Sequence, residues 1–324
     1  MPDSVILERN VVSMSTTKNK TGAAKGKRSR IYWTVPAVLV AAVVVVLLAK
    51  WATGLSGVQS FLASYPGHSE LPAGAPVGFP AWLAWQHFLN AFFLLLIIRS
   101  GWQVRTSTRP GGYWTRNNKG LIRTKTAPSK ISLELWFHLT LDVLWILNGL
   151  VFVILLFATG QWTRIVPTSW DVFPNAVSAA LQYASLNWPT ENGWVNYNAL
   201  QLLTYFATVF IAAPLAFITG LRMSAVWPKK ANGLNKAFPI EAARAVHFPV
   251  MIYFVAFIVV HVFLVLATGA LRNLNHMYGG SDDVSWVGFW FFVASVAVMV
   301  AAWFLARPLF LRPIASLMGK VTSR

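Results

Sequence analysis

Six apolar runs of about 20 residues constrain the fold of this chain more than any other feature of its sequence. A helix of that length crosses the roughly 30 Å of hydrocarbon in a bilayer, whereas the strands of a membrane β-barrel show as short alternating segments. Charged residues make up only 11% of the 324 residues, against about 25% in soluble domains. The sequence therefore predicts an all-α integral membrane protein with six transmembrane helices, over Ile31–Ala49, Ala81–Ile98, Leu133–Ala158, Tyr197–Gly220, Phe248–Gly269 and Ser285–Ala306.

The positive charges predict how these spans are oriented. Lys and Arg number 27 against 10 Asp and Glu, and 24 of the 27 lie in the N-terminal tail, the loops after the second and fourth spans, and the C-terminal tail. The positive-inside rule places those segments, and with them both termini, on the cytoplasmic side of the cell membrane. There they contact anionic membrane lipid, so the charge excess requires no nucleic-acid partner. The predicted domains are a flexible basic tail over residues 1–30, a six-helix membrane domain over 31–306 and a short basic tail over 307–324.

Two outer loops differ in character. Trp51–Pro80 is rich in Gly and Pro and is predicted to be irregular. Gly160–Asn196 contains four Trp and three Pro, and its middle, Asn175–Ser185, is predicted to form a short helix on the membrane surface. Loops this long are usually functional or disordered, and the aromatic content argues against disorder. We expect this loop to be either a docking surface or a belt of interfacial aromatic residues.

The chain contains no Cys. This excludes disulfides, thiol catalysis, cysteine-ligated iron–sulfur clusters and haem attached through thioether bonds. It is compatible with b-type haem, which is not attached covalently.

Four of the six His lie in or at the ends of predicted spans, where an ionisable side chain is costly and marks a candidate functional site. At about 1.5 Å per residue, His87 lies roughly 9 Å below the outer boundary of the second span. His261 follows His247 by 14 positions on the fifth span, which brings it to roughly the depth of His87. His138 and His247 lie near the inner boundary. Because 14 residues are close to four turns, His247 and His261 face the same side of their helix.

Two pairs of His at two depths, presented by three helices, fit two stacked b-type haems with two axial imidazoles each. A proton relay or an ion path in a His-based, proton-coupled transporter is one alternative, and a haem-free membrane anchor is another. A zinc site needs its ligands clustered around one ion, which two pairs roughly 20 Å apart do not provide.

The order of the His residues carries a resemblance to a known family. Spans two to five contain His87, then His138, then none, then His247 and His261, with Arg244 three residues before His247. This order resembles the di-haem cytochrome b membrane subunits of bacterial oxidoreductases, such as the gamma subunit of formate dehydrogenase and the cytochrome b of nickel–iron hydrogenase or thiosulfate reductase. Three phrases are similar to actinobacterial members that partner sulfite-oxidase-like molybdoenzymes: Trp85–Asn90 (WQHFLN), Phe157–Trp162 (FATGQW) and Ala267–Tyr278 (ATGALRNLNHMY).

The resemblance covers roughly residues 81–270 and implies a four-helix haem bundle with one extra helix at each end. It implies two haem b groups, an outer one held by His87 and His261 and an inner one held by His138 and His247, which is also the pairing given by depth. It further implies electron transfer between membrane quinone and an attached oxidoreductase, with no substrate chemistry of its own. The expected partner is an extracytoplasmic molybdoenzyme that docks on Gly160–Asn196 and Arg272–Val284.

Charged residues near the His pairs are further site candidates. Arg222 and Arg244 are placed to bind the propionates of the inner haem, and Arg164 or Arg272 those of the outer one, unless they simply face lipid headgroups. Asp142, the only acid well inside a span, follows His138 by four residues on the same helix face. We expect it to hydrogen-bond a ligand His, to deliver protons to a quinone, or to be a carboxyl bonded within the bundle.

Overall fold

The computed structural model describes residues 21–119, 127–188, 192–228 and 230–323. Among these residues, six helical stretches are long and apolar enough to cross a membrane, as the sequence predicts. The all-α membrane architecture is therefore confirmed. The six stretches are Tyr32–Thr53, Ala81–Thr106, Leu133–Ala158, Ala199–Met223, Ile240–Ala267 and Val287–Leu305.

Helices α1 to α4 include the first three spans. α1 (Thr21–Thr53) begins inside the segment predicted as a flexible tail, of which residues 1–20 lie outside the described part. α2 (Ser56–Ser64) lies in the outer loop predicted to be irregular, so that prediction is wrong for these nine residues. α3 (Ala81–Thr106) extends two turns beyond its predicted end, and α4 (Leu133–Ala158) has its predicted bounds. Apolarity marks only the hydrocarbon-spanning part, and α3 continues past it through the polar Arg99, Gln103 and Arg105.

The fourth span is built from three consecutive pieces. α6 (Ala199–Phe206) starts at Asn198, which forms a capping box with Gln201, and is followed by a π-helical turn, Ala207–Ala212, and by α7 (Ala213–Met223). Pro214 has no backbone N–H, and its ring would clash with the carbonyl four residues earlier in a regular helix. The wider π turn directly before Pro214 relieves that clash without ending the span.

The remaining helices complete the membrane domain. α8 (Asn232–Ala237) lies in the loop after the fourth span and is followed by the long α9 (Ile240–Ala267). α9 begins two turns before its predicted start, because the charged Glu241 and Arg244 interrupt the apolar run in its first two turns. α10 (Ala270–Leu274) and a π-helical turn, Asn275–Gly279, lead into the last span, α11 (Val287–Leu305). In the bundle, α3 packs along α4 and α7 along α9. The middle of the bundle is an apolar cluster around Ala212, Val250 and Phe254, with Leu94, Ile98 and Trp145 packed against it.

On the side predicted to face outward, α5 (Val172–Ala184) confirms the short helix predicted inside the Trp-rich loop. Its face with Val172 and Ala176 is buried against Ala199 and Leu202 of α6. This packing places the aromatic loop directly over the start of the fourth span.

On the opposite side, a small sheet and a terminal helix form a compact cap that the sequence analysis does not predict. Strands β1 (Tyr113–Arg116), β2 (Lys130–Ser132) and β3 (Gly319–Thr322) pair antiparallel in the order β2-β1-β3. α12 (Pro308–Ser316) packs Leu311 and Ala315 against Leu133 and Trp136 of α4. The segment predicted as a short C-terminal tail therefore folds back on the loop after the second span.

Candidate functional site

The outer His pair lies between α3 and α9. The ring centroids of His87 and His261 are 6.2 Å apart. The hydroxyl of Tyr278, from the π-helical turn after α10, lies 3.3 Å from Nδ1 of His87. Phe257 stacks almost parallel on His261 with its centroid at 5.4 Å, because it precedes His261 by about one turn of α9.

The inner His pair lies between α4 and α9. The ring centroids of His138 and His247 are 6.5 Å apart. A buried hydroxyl from a neighbouring helix contacts each ring: Ser100 Oγ of α3 lies 2.9 Å from Nδ1 of His138, and Thr219 Oγ1 of α7 lies 2.8 Å from Nδ1 of His247. The structure thus brings together both pairs that the sequence analysis matched by depth.

The two hydroxyls select the tautomer of the inner imidazoles. Ser100 donates its hydrogen to the carbonyl of Ile97, and Thr219 donates to the carbonyl of Leu215. A hydroxyl has a single hydrogen, so each oxygen accepts the hydrogen bond from the imidazole Nδ1–H. The lone pair of each Nε2 is then free, which is the state in which His ligates a metal while its other nitrogen donates to a protein acceptor.

Glycines next to these hydroxyls bring the rings close to the helix backbone. A Cβ atom at Gly101 would lie 3.1 Å from Cε1 of His138, and one at Gly220 would lie 3.5 Å from Cε1 of His247. The sequence therefore contains the same pair twice, a hydroxyl residue followed by Gly, near the inner ends of spans two and four. The spacing of the His residues alone does not point to this repeated pair.

A cavity of about 530 Å³ opens beside the outer pair, within the size range of cofactor sites. Both His87 and His261 line it, together with Tyr197, Tyr205 and Phe257. The π-helical turn closes its outer wall with His276, Met277 and Tyr278. Burial raises the pKa of the Tyr278 phenol to about 12, so this hydroxyl stays protonated.

The buried side chain of Arg164 connects two outer loop segments, those that contain Gly78 and Gly193, by hydrogen bonds. Its side chain is 1% exposed and donates to the carbonyls of Gly78 at 2.7 Å and Gly193 at 2.6 Å. Its guanidinium lies 4.8 Å and 5.0 Å from the ring centroids of Phe79 and Tyr197, and burial lowers its pKa. The expectation that Arg164 faces lipid headgroups is therefore wrong.

Asp282 is the centre of a second polar cluster on the rim of this cavity. Arg272 donates two hydrogen bonds to it, at 2.9 Å and 3.0 Å, and Asn192 donates a third at 2.7 Å. His276 Nε2 lies 2.6 Å from the same carboxylate. The Arg272 guanidinium holds the pKa of Asp282 well below its usual value, while burial lowers the pKa of His276. Arg272 and His276 both line the cavity.

The other candidate charges lie on the inner side. Arg222 donates to the carbonyl of Phe238 at 2.6 Å and covers the ring of Trp227, so it organises the inner loop. Arg244 is exposed, one turn before His247. The carboxylate of Asp142 lies 3.7 Å from Nε2 of His138, which confirms that the two share a helix face.

The geometry of the pairs fits one iron between two rings. An imidazole nitrogen binds a first-row metal at about 2 Å, so two rings on opposite sides of one iron have centroids about 6 Å apart. Both observed separations agree with that value. Within the described ranges, no group of three or more His, Cys, Asp or Glu side chains could hold a metal ion.

Comparison with known proteins gives one family match and one curated relative. The family model described as prokaryotic cytochrome b561 matches residues 78–280, a range that contains all four paired His and the four central spans. The chain is 27% identical over 205 residues to a candidate protein-methionine-sulfoxide reductase subunit, YedZ1, of Azospira oryzae, covering 57% of this chain and 88% of that protein. No solved structure matches. The resemblance to membrane cytochromes b is confirmed, and the chain belongs to the prokaryotic cytochrome b561 family of haem b-binding membrane proteins.

Proposed function

We propose that this protein is a di-haem electron-transfer subunit that connects membrane quinone with an attached oxidoreductase. The observation that carries the proposal is the presence of two His pairs at the two ends of one bundle. His87 and His261 would hold the outer haem, and His138 and His247 the inner one. When bound, each haem b supplies a one-electron redox centre whose potential depends on its ligands, their hydrogen bonds and their burial.

The protein's own contribution is to hold four imidazoles in position before any haem enters. His247 and His261 share the rigid α9, and 14 residues at about 1.5 Å each separate them by roughly 21 Å along its axis. Ser100 and Thr219 orient the inner rings, while Tyr278 and Phe257 contact the outer ones. The haem positions would therefore follow from helix geometry.

Replacing either His of a pair is expected to remove the haem of that pair and to leave the other haem in place. His87→Ala and His261→Ala should each lose the outer haem, and His138→Ala and His247→Ala should each lose the inner one. Redox titration of the b-type absorbance of the purified protein, with haem supplied during expression, resolves the two centres by midpoint potential. His68→Ala, outside the spans, is the matched control and should keep both.

Two outcomes would contradict the proposal. Absence of any b-type band in the unaltered protein would favour the transporter or the haem-free anchor. Loss of different haems from His87→Ala and His261→Ala would refute the pairing itself.

The hydrogen-bonding hydroxyls should tune the two centres separately. A hydrogen bond from Nδ1–H makes an imidazole a more basic ligand and favours the ferric state. Ser100→Ala should raise the midpoint potential of the inner haem by roughly 20–60 mV, the equivalent of one net hydrogen bond, and Tyr278→Phe should raise that of the outer haem by a similar or smaller amount. Each variant is the other's control, since the second haem of the same molecule should not move. A shift of both haems in either variant would show a general disturbance of the bundle instead.

The proposed orientation has both termini in the cytoplasm, so that His87 and His261 lie on the outer side. Because the chain has no Cys, single Cys variants report this directly. Ala73→Cys, exposed in the outer loop, should react with a membrane-impermeant maleimide on intact cells, whereas Ser107→Cys, exposed after α3, should react only in opened cells. The reverse labelling pattern would invert the assignment of the haem sites to the two sides.

The proposed partner is an extracytoplasmic molybdoenzyme of the reductase type, in line with the relative that is named as a reductase subunit. The two predicted docking segments, Gly160–Asn196 and Arg272–Val284, are joined by the hydrogen bond from Asn192 to Asp282 and so present one surface. That surface carries the side chain of Trp170, which is 84% exposed.

Trp170→Ser should weaken co-purification of the partner about tenfold, as expected for an aromatic anchor of an interface. Trp51→Ser, an exposed Trp at the outer end of α1, is the control and should leave the yield of partner unchanged. Equal losses in both variants, or in neither, would place the docking surface elsewhere.

On the inner side, Asp142 next to His138 is the residue proposed to exchange protons with a bound quinone.

A further inference from the structure

The terminal helix α12 has three distinct sides. One side is buried, since Leu311 and Ala315 pack against Leu133 and Trp136, and Trp114 Nε1 donates to the carbonyl of Ala315. This side attaches α12 to the start of α4. The other two sides differ in polarity: one is apolar and exposed, and on the other Arg312 donates a hydrogen bond to the carbonyl of Gly111.

The second side of α12 is apolar and exposed. Leu309 is 75% exposed, Phe310 and Ile314 are also exposed, and Leu317, which caps the helix in helical conformation, is 85% exposed. At about 100° per residue, these four side chains occupy an arc of about 140°, as wide as the apolar stripe of a helix that is partly buried. The third side carries Arg312 and Ser316 and is polar.

Two observations indicate what covers the apolar side. The outward-facing surface of α11 ends in Phe304 and Leu305, both exposed, and α12 begins three residues later, so its apolar side continues a surface that faces lipid in the membrane. Arg307 immediately precedes the helix and Arg312 lies beside the apolar side on its surface, and the sequence contains no acid after Asp283. An apolar stripe with a purely basic border is complementary to acyl chains under anionic headgroups.

We infer that α12 lies in the membrane interface, with Leu309, Phe310, Ile314 and Leu317 inserted at the acyl boundary and its basic border on anionic headgroups. The leaflet is the one on the side of the C-terminus, whichever way the protein is oriented. The lipid contact then holds the whole cap in place, because β3 follows α12 and pairs with β1. The inference does not depend on haem binding.

Single Cys variants of the full-length protein test this placement, since the natural chain has none. Leu317→Cys and Ile314→Cys sample the apolar side, and Ser316→Cys is the matched control on the polar side. Each is labelled with an environment-sensitive fluorophore and reconstituted into vesicles of phosphatidylglycerol and phosphatidylcholine in equal parts. A nitroxide placed high on the acyl chain should quench the labels at 317 and 314 at least twofold more than the label at 316, and aqueous iodide should show the reverse order.

Several results would overturn the inference. Equal iodide quenching at all three positions would show that the apolar side faces water. Protection at 317 and 314 from both quenchers would show that a protein surface covers it, either a second copy or a partner. If phosphatidylcholine alone gives the same nitroxide quenching as the mixed vesicles, the basic border does not recognise anionic lipid.

Discussion

The structure depends on one constraint: a polar group inside the bundle is costly unless another protein group bonds it, because the surrounding hydrocarbon offers no hydrogen bonds. Four imidazoles within an apolar bundle are an extreme case. At the inner pair the constraint is met by hydroxyls that already donate to their own helix and so can only accept from the ring. The hydrogen bonds that make burial tolerable are therefore the same ones that leave the lone pair of Nε2 free.

The two sites meet this constraint in different ways. The partners of the inner rings, Ser100 and Thr219, lie on the helices themselves, whereas the hydroxyl nearest the outer ring of His87 belongs to a turn beyond the membrane helices. That turn is held by the buried Asn275, whose amide side chain bonds Ser281, Ser285 and the backbone of Gly288. The outer site thus depends on loop packing, and a partner that contacts those loops would contact the structure that orients His87. The inner site has no such dependence on the outer loops.

The relative depths of the His residues could be predicted from the sequence because a transmembrane α-helix has a fixed axial rise per residue. An error of two residues at a span end changes the predicted depth of His87 by only about 3 Å. Because the two pairs lie roughly 21 Å apart, such an error does not assign His87 to the wrong pair. The ends themselves could not be predicted as well, since hydropathy marks the hydrocarbon region and α3 and α9 continue beyond it. The roles of Ser100 and Thr219 were also not predictable individually, because a buried hydroxyl on a membrane helix usually bonds only its own backbone. Pairing of β1 with β3 joins segments about 200 residues apart and leaves no local trace.

The axial distance between the two His pairs is the feature of the bundle that changes least when other parts of the protein move. Since both His pairs take one residue from α9, any movement of the outer loops or of the inner cap changes the orientation of a ring but not the axial distance between His247 and His261. Pro249 lies just two residues after His247, and α9 nevertheless runs from Ile240 to Ala267 without a break. The proline therefore does not interrupt the helix between His247 and His261. The π-helical turn that accommodates Pro214 lies instead in the fourth span, which carries no His. Among the four spans of the bundle, irregularity in the helix backbone is thus confined to the one that carries no His.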